Sequence, residues 1–141
     1  MADKESKYIA RKDDGQLGEK LSLLVLDDNE KVLRLLEKQF AKLGIKISTA
    51  NCTKDAKQLL SQKKFDVILI DEELSQTCKD DTGICFAMSI KEMYTGMLRI
   101  IMTNQVKKEI IEARQHGIID AYIEKPVSDT QILDVIRKYS S

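Results

Sequence analysis

The chain has 141 residues, 43% hydrophobic and 33% charged, which suits one domain around a single core. Lys plus Arg and Asp plus Glu both number 23, so the net charge is zero and the basic excess of a broad nucleic-acid surface is missing. Cys52, Cys78 and Cys85 form no C-x-x-C and His116 is the only histidine, which argues against a disulfide framework and a zinc site. No apolar run approaches the roughly 18 residues of a membrane span, and the charged start lacks a signal peptide's apolar stretch. The expectation is a cytoplasmic chain, or the cytosolic part of something larger, with no membrane contact of its own.

Residues 1–20 are polar and charged and read as a tail or linker; residues 21–141 read as the domain. From Leu21 short apolar runs alternate with segments of helical period. The runs are Leu21 to Leu26, Ile45 to Ala50, Phe65 to Ile70, Leu98 to Met102 and Ala121 to Ile123. Val67-Ile68-Leu69-Ile70 shows no polar alternation, as expected of a strand covered on both faces.

Between the runs, Val32, Leu33, Leu36, Phe40 and Leu43 mark one helical face, which stops at Gly44. A second helix should open on Thr53 as N-cap and turn Ala56, Leu59 and Leu60 inward. A third follows Gly83, with Ile84, Ala87, Ile90 or Lys91, and Met93 as its approximate span. A fourth uses Ile110, Ile111 and Ala113 and stops at Gly117. The last opens with the capping pair Ser128 and Gln131 and buries Ile132, Val135 and Ile136. Five alternations of strand and helix predict an α/β domain, a doubly wound parallel sheet with helices on both faces. Strand order 2-1-3-4-5, the flavodoxin-like solution, is one of the common arrangements with right-handed crossovers.

Ligands of such sheets bind beyond the carboxyl ends of the strands, near the point where strand order reverses. Asp27 and Asp28 follow the first run, Asp71 the third and Thr103 the fourth, while Lys125-Pro126 ends the fifth. Each has an ordinary explanation alone: Asp28 or Asn29 as a helix cap, Asp71 as a loop carboxylate, Lys125 as a surface lysine. Jointly the ordinary explanations fail, because all five fall at the ends of the four strands nearest the switch point. Three adjacent carboxylates repel unless cations compensate, and one lysine leaves a deficit. A hard divalent ion with oxygen ligands, Mg2+ or Mn2+, would fill it, and the site is then suited to a phosphoryl group arriving with the metal.

The motifs Leu24-Val25-Leu26-Asp27-Asp28-Asn29, Asp66-Val67-Ile68-Leu69-Ile70-Asp71, Ile100-Ile101-Met102-Thr103 and Tyr122-Ile123-Glu124-Lys125-Pro126, in this order, resemble the response-regulator receiver domain of two-component and phosphorelay signalling. The resemblance runs from Leu21 to Tyr139. It implies that Asp71 is the phosphoacceptor and that Asp27, Asp28 and the backbone carbonyl of Glu73 bind magnesium beside it. It further implies that Thr103 and Lys125 contact phosphoryl oxygens, that Tyr122 is the switch aromatic, and that Glu73 and Gln105 tune phosphoryl lifetime. The Lys125-Pro126 bond is often cis in the family. The implied partners are a histidine kinase or histidine phosphotransfer protein and a downstream protein on the face of the last two helices and the last strand. The domain would stand alone or form the terminal receiver of a hybrid histidine kinase, a phosphoacceptor rather than a turnover enzyme.

Departures from the family's pattern gather after Asp71. Ser75 replaces a common proline, Thr82-Gly83 stands for Asp-Gly, and residues 76–81 look like an insertion in a loop bordering the site. Asn104 stands where a small alanine is frequent. Two enzyme readings on the same sheet are weak. A flavin site needs a phosphate-cradling loop where Asp27-Asp28-Asn29-Glu30 would repel phosphate. A haloacid-dehalogenase-like phosphatase needs a second Asp two residues after its nucleophile, where Glu73 stands. A third reading, a pseudo-receiver that only mediates protein contacts, has no need of the five site residues.

Overall fold

A computed structural model describes residues 21–74 and 82–140 of the chain. The expected tail at 1–20 and residues 75–81, which include the expected insertion at 76–81, lie outside the described residues.

Five strands, β1 (Leu23–Leu26), β2 (Ser48–Ala50), β3 (Val67–Asp71), β4 (Leu98–Thr103) and β5 (Ala121–Glu124), pair in parallel in the order β2-β1-β3-β4-β5. The helices are α1 (Glu30–Ala41), α2 (Thr53–Gln62), α3 (Gly83–Ile90), α4 (Lys108–Gln115) and α5 (Asp129–Ser140). This is the expected doubly wound architecture. Its cause is legible in β1, where all four residues are buried and alternate between two cores. Leu23 and Val25 pack with Leu33, Leu36 and Phe40 of α1 and Ile132 and Ile136 of α5. Leu24 and Leu26 face Ala56 and Leu60 of α2, Phe86 and Ile90 of α3, and Ile110 and Ala113 of α4.

Of the two residues expected to cap α1, Asn29 does so, its side chain accepting from the backbone N–H of Lys31 at 2.9 Å. Other helix details depart from the sequence expectation. Thr53 is the first residue of α2 rather than its cap; Cys52 holds the cap position with no side-chain bond. Leu43 lies past the end of α1 and is exposed, because Gly44 at φ 77° turns the chain so that Ile45 enters the core instead. Met93 lies beyond α3 and Ile111 faces outward on α4, both exposed. The Ser128–Gln131 capping box forms as expected: the Gln131 side chain accepts from the Ser128 N–H at 2.9 Å, and the Ser128 hydroxyl accepts from the Gln131 N–H at 3.3 Å.

A residue that the strand pattern passed over, Arg99, is buried in β4. Its guanidinium donates to the carbonyls of Ile118 at 2.8 Å, Gly117 at 3.2 Å and Met97 at 3.3 Å. It therefore ties the end of α4 to the sheet from below. The signal in the sequence was a charge inside the apolar run Leu98 to Met102.

Candidate functional site

Parallel pairing brings the carboxyl ends of β1, β3, β4 and β5 to one edge, and the polar residues follow. β1 runs directly into Asp27, whose side chain is wholly buried; Asp71 ends β3 and is 3% exposed. Asp28 is half-buried beside them. One carboxylate oxygen from each of Asp27, Asp28 and Asp71 lies within 4.8 Å of the other two. Lys125, just past β5, donates from Nζ to Asp71 Oδ1 at 2.8 Å and lies 3.8 Å from Asp27 Oδ2.

The remaining contacts orient the carboxylates. Asp27 Oδ1 accepts from the N–H of Asn29 at 2.9 Å, and Asp71 Oδ1 accepts from the N–H of Glu73 at 3.4 Å. Asp27 Oδ2 is buried and, among the described residues, has no hydrogen-bond partner. Burial pushes the Asp27 carboxyl up to about 6, with the neighbouring Asp71 charge adding to the effect and the Asn29 N–H and Lys125 opposing it. Burial alone would lower the Lys125 ammonium, but its hydrogen bond to Asp71 and the charges of Asp71 and Asp27 outweigh this and raise it.

Thr103 is buried at the end of β4, but its hydroxyl is turned to its own chain. It donates to the carbonyl of Gln105 at 2.8 Å and accepts from the Gln105 N–H at 3.2 Å. Four of the five strand-end residues thus meet directly, and the fifth stands next to them with its hydroxyl held back. Tyr122 is half-buried on β5, packed with the core that contains Ile110 and Ala113 of α4.

Above the carboxylates lies an open cleft of about 560 Å³ lined by Asp27, Asp28, Asn29, Glu30, Lys31, Asp71, Glu73, Asn104 and Lys125. Glu73 lines it, as does Asn104; the Gln105 side chain is not among the lining residues. The floor is braced by α3: the Gly83 N–H donates to the Glu72 carbonyl at 2.9 Å, and Glu73 pairs with Thr82 in an isolated bridge. Gly83 thus lies against the backbone of Asp71, next to the Glu73–Thr82 bridge.

An acidic triad paired with a lysine thus lies at the switch point of a sheet ordered β2-β1-β3-β4-β5. The response regulator receiver domain matches residues 23–137. The chain belongs to this family. The receiver is 29% identical over 122 residues to the sensory transduction protein LytT of Bacillus cereus, which covers 84% of this chain and 47% of that protein. The chain spans about half the length of that curated relative. In fold it resembles the CheY-like receiver domain protein of Methanospirillum hungatei, with a TM-score of 0.73, 22% identity, and coverage of 84% of this chain and 91% of that one. It also resembles a Burkholderia pseudomallei response regulator protein solved with a phosphorylated aspartic acid, calcium ion and citrate. There the TM-score is 0.72 and the identity 23%, covering 82% of this receiver and 66% of that chain.

Proposed function

We propose that this receiver is switched by phosphorylation of Asp71. The observation that carries the reading is a buried carboxylate at the end of β3, hydrogen-bonded to Lys125 at 2.8 Å and flanked by two further carboxylates. The Asp71 oxygen attacks phosphorus in a phosphohistidine of a kinase or phosphotransfer partner, or in a small acyl phosphate. The new P–O bond forms as the bond to the donor's nitrogen or oxygen breaks, and the donor leaves with that electron pair. Charge spreads over the equatorial oxygens in the transition state, and the Lys125 ammonium stands where it opposes that charge. Thr103 takes a second phosphoryl oxygen once its hydroxyl leaves the Gln105 carbonyl.

The donor set fits magnesium. Three carboxylates share one ammonium, and Asp27 Oδ2 is buried with no hydrogen-bond donor among the described residues. Asp27, Asp28, Asp71 and the Glu73 carbonyl are the ligands we assign. A bound ion would supply positive charge to offset that of a phosphoryl group; the Burkholderia protein was solved with a phosphorylated aspartic acid and a calcium ion.

Signalling follows from geometry downstream of Asp71. Rotation of Thr103 toward the phosphoryl group frees space beside β4 that Tyr122 enters. That alters the α4-β5-α5 face, which we assign to the downstream partner. The test is incubation with a small acyl phosphate, with and without magnesium, followed by intact mass. One phosphoryl addition is expected, requiring metal and lost in Asp71→Asn. Equal labelling of wild type and mutant would sink the assignment.

A further inference from the structure

We propose that Glu72 is a positioning residue that receives Lys107 when the Thr103 hydroxyl turns to the phosphoryl group, fixing the start of α4 in the switched state. The inference rests on Asp71 being the phosphoacceptor. Glu72 continues the β3–β4 ladder past Asp71: Asp71 stands opposite Met102, and the Glu72 N–H donates to the Met102 carbonyl at 2.9 Å. Side chains alternate along a strand, so Glu72 leaves the sheet on the face of Ile70, Ile101 and Tyr122, which is also the face of Thr103. That face carries α3 and α4.

The Glu72 carboxyl is held there with one oxygen unused. Its backbone carbonyl accepts from the Gly83 N–H at 2.9 Å, and its carboxyl accepts from the Ile84 N–H in the first turn of α3. Oε1 is buried and has no hydrogen-bond partner among the described residues. The metal assigned above accounts for the orphaned Asp27 Oδ2 but not for Glu72, whose side chain leaves the sheet on the opposite face from Asp71. An orphaned buried acceptor raises the free energy of the resting fold, and a rearrangement that brings it a donor recovers the loss. The cation that acts on Glu72 is Lys107. Burial pushes the Glu72 carboxyl up, and the Ile84 N–H and the Lys107 charge oppose it.

Lys107 is poorly placed for the resting fold. It takes the N-cap position of α4, makes no side-chain cap bond, and sets a cation at the helix end that favours anions. Its neighbour Lys108 pairs with Glu112 at 3.8 Å, whereas Lys107 makes no such ion pair among the described residues. The turn between Lys107 and β4 is clasped by the Thr103 hydroxyl, which donates to the Gln105 carbonyl at 2.8 Å and accepts from the Gln105 N–H at 3.2 Å. A hydroxyl turned to a phosphoryl oxygen no longer donates to Gln105, and the segment from Asn104 to Lys107 is released. The Lys107 ammonium then closes on Glu72 Oε1. An orphaned acceptor and an unpaired cation are exchanged for one ion pair between β3 and α4, so the charge change at Asp71 biases a two-state element.

The test is amide hydrogen exchange of the full chain, read by mass spectrometry in peptides covering 104–112, with and without excess small acyl phosphate and magnesium; intact mass gives the labelled fraction. In labelled wild type, protection at the start of α4 is expected to be several-fold higher than in labelled Glu72→Gln or Lys107→Gln, where the clasp is lost and nothing replaces it. Unlabelled, the three proteins should be protected alike, and the urea midpoint of Glu72→Gln should be no lower than that of wild type, because the pair is absent from the resting fold. Lys107→Arg keeps the protection, as does Lys108→Gln. Labelled variants that match labelled wild type overturn the pairing. So does a Glu72→Gln protein that has already lost protection at α4 before labelling, since Glu72 would then be a structural strut only. A wild type that takes no phosphoryl group, or labelling that survives Asp71→Asn, overturns the Asp71 reading instead.

Discussion

A Cβ placed on Gly83 would lie 2.5 Å from the carbonyl oxygen of Asp71, so α3 begins pressed against the backbone of the residue assigned as phosphoacceptor. The next atoms it would meet, the Glu72 Cα at 2.9 Å and the Asp71 carbonyl carbon at 3.0 Å, are also backbone, in or just after a central strand. None can swing aside as a side chain would. Gly83→Ala is expected to cost about 1–3 kcal/mol in urea unfolding, as forced overpacking does. Labelling of Asp71 should slow with it, since the displaced segment carries the Glu73 carbonyl. An alanine variant of wild-type stability would show that the end of β3 yields more easily than a sheet centre should.

Asp27 makes metal-free stability depend on pH. Its carboxyl moves from 3.8 to about 6 in the fold, chiefly through burial. Between those values the native state holds more protons than the unfolded chain, so this contribution is greatest at low pH and falls as pH rises through the window. At about 1.4 kcal/mol per unit the effect is at most roughly 3 kcal/mol. Urea midpoints in chelator should therefore show a downward component in that window that Asp27→Asn removes. Magnesium binding runs the other way, tightening as pH rises through about 6 and the carboxyl gives up its proton.

Among the described residues, Lys125 is the ammonium in ion-pair contact with Asp71 and Asp27. Lys125→Met leaves Asp71 and Asp27 facing each other uncompensated, at a cost of about 2 kcal/mol at neutral pH without metal. Part of the loss should return on acidification, because a protonated carboxyl no longer repels its neighbour. A double-mutant cycle with Asp71→Asn should give a coupling above about 0.5 kcal/mol. Additive losses would mean that the 2.8 Å contact is not maintained in solution.

Arg99 offers a check on the scaffold away from the chemistry. Arg99→Met fills much of the volume but strands the carbonyls of Met97, Gly117 and Ile118 that the guanidinium serves. A loss of about 1–3 kcal/mol is expected, since the buried Met97 carbonyl loses its donor and the part-buried Ile118 and Gly117 carbonyls must turn to water. The reading is checked by a cooperative unfolding curve shifted to lower urea, with labelling of the remaining folded protein unchanged.

Much of this protein was determined by its sequence alone. Apolar runs such as Val67 to Ile70 fit strands buried on both faces, and five of them separated by helical segments admit few sheet orders. Once the order was set, Asp27, Asp28, Asp71 and Lys125 had to meet, because strand ends in a parallel sheet share one edge. Tertiary structure decided what depends on direction rather than position. Asn29 and not Asp28 caps α1, the Thr103 hydroxyl turns to Gln105, Asn104 faces the cleft, and Arg99 folds under α4. These outcomes turn on hydrogen bonds between residues near in space and on which of two neighbours a turn pushes outward. Periodicity carries no information about either.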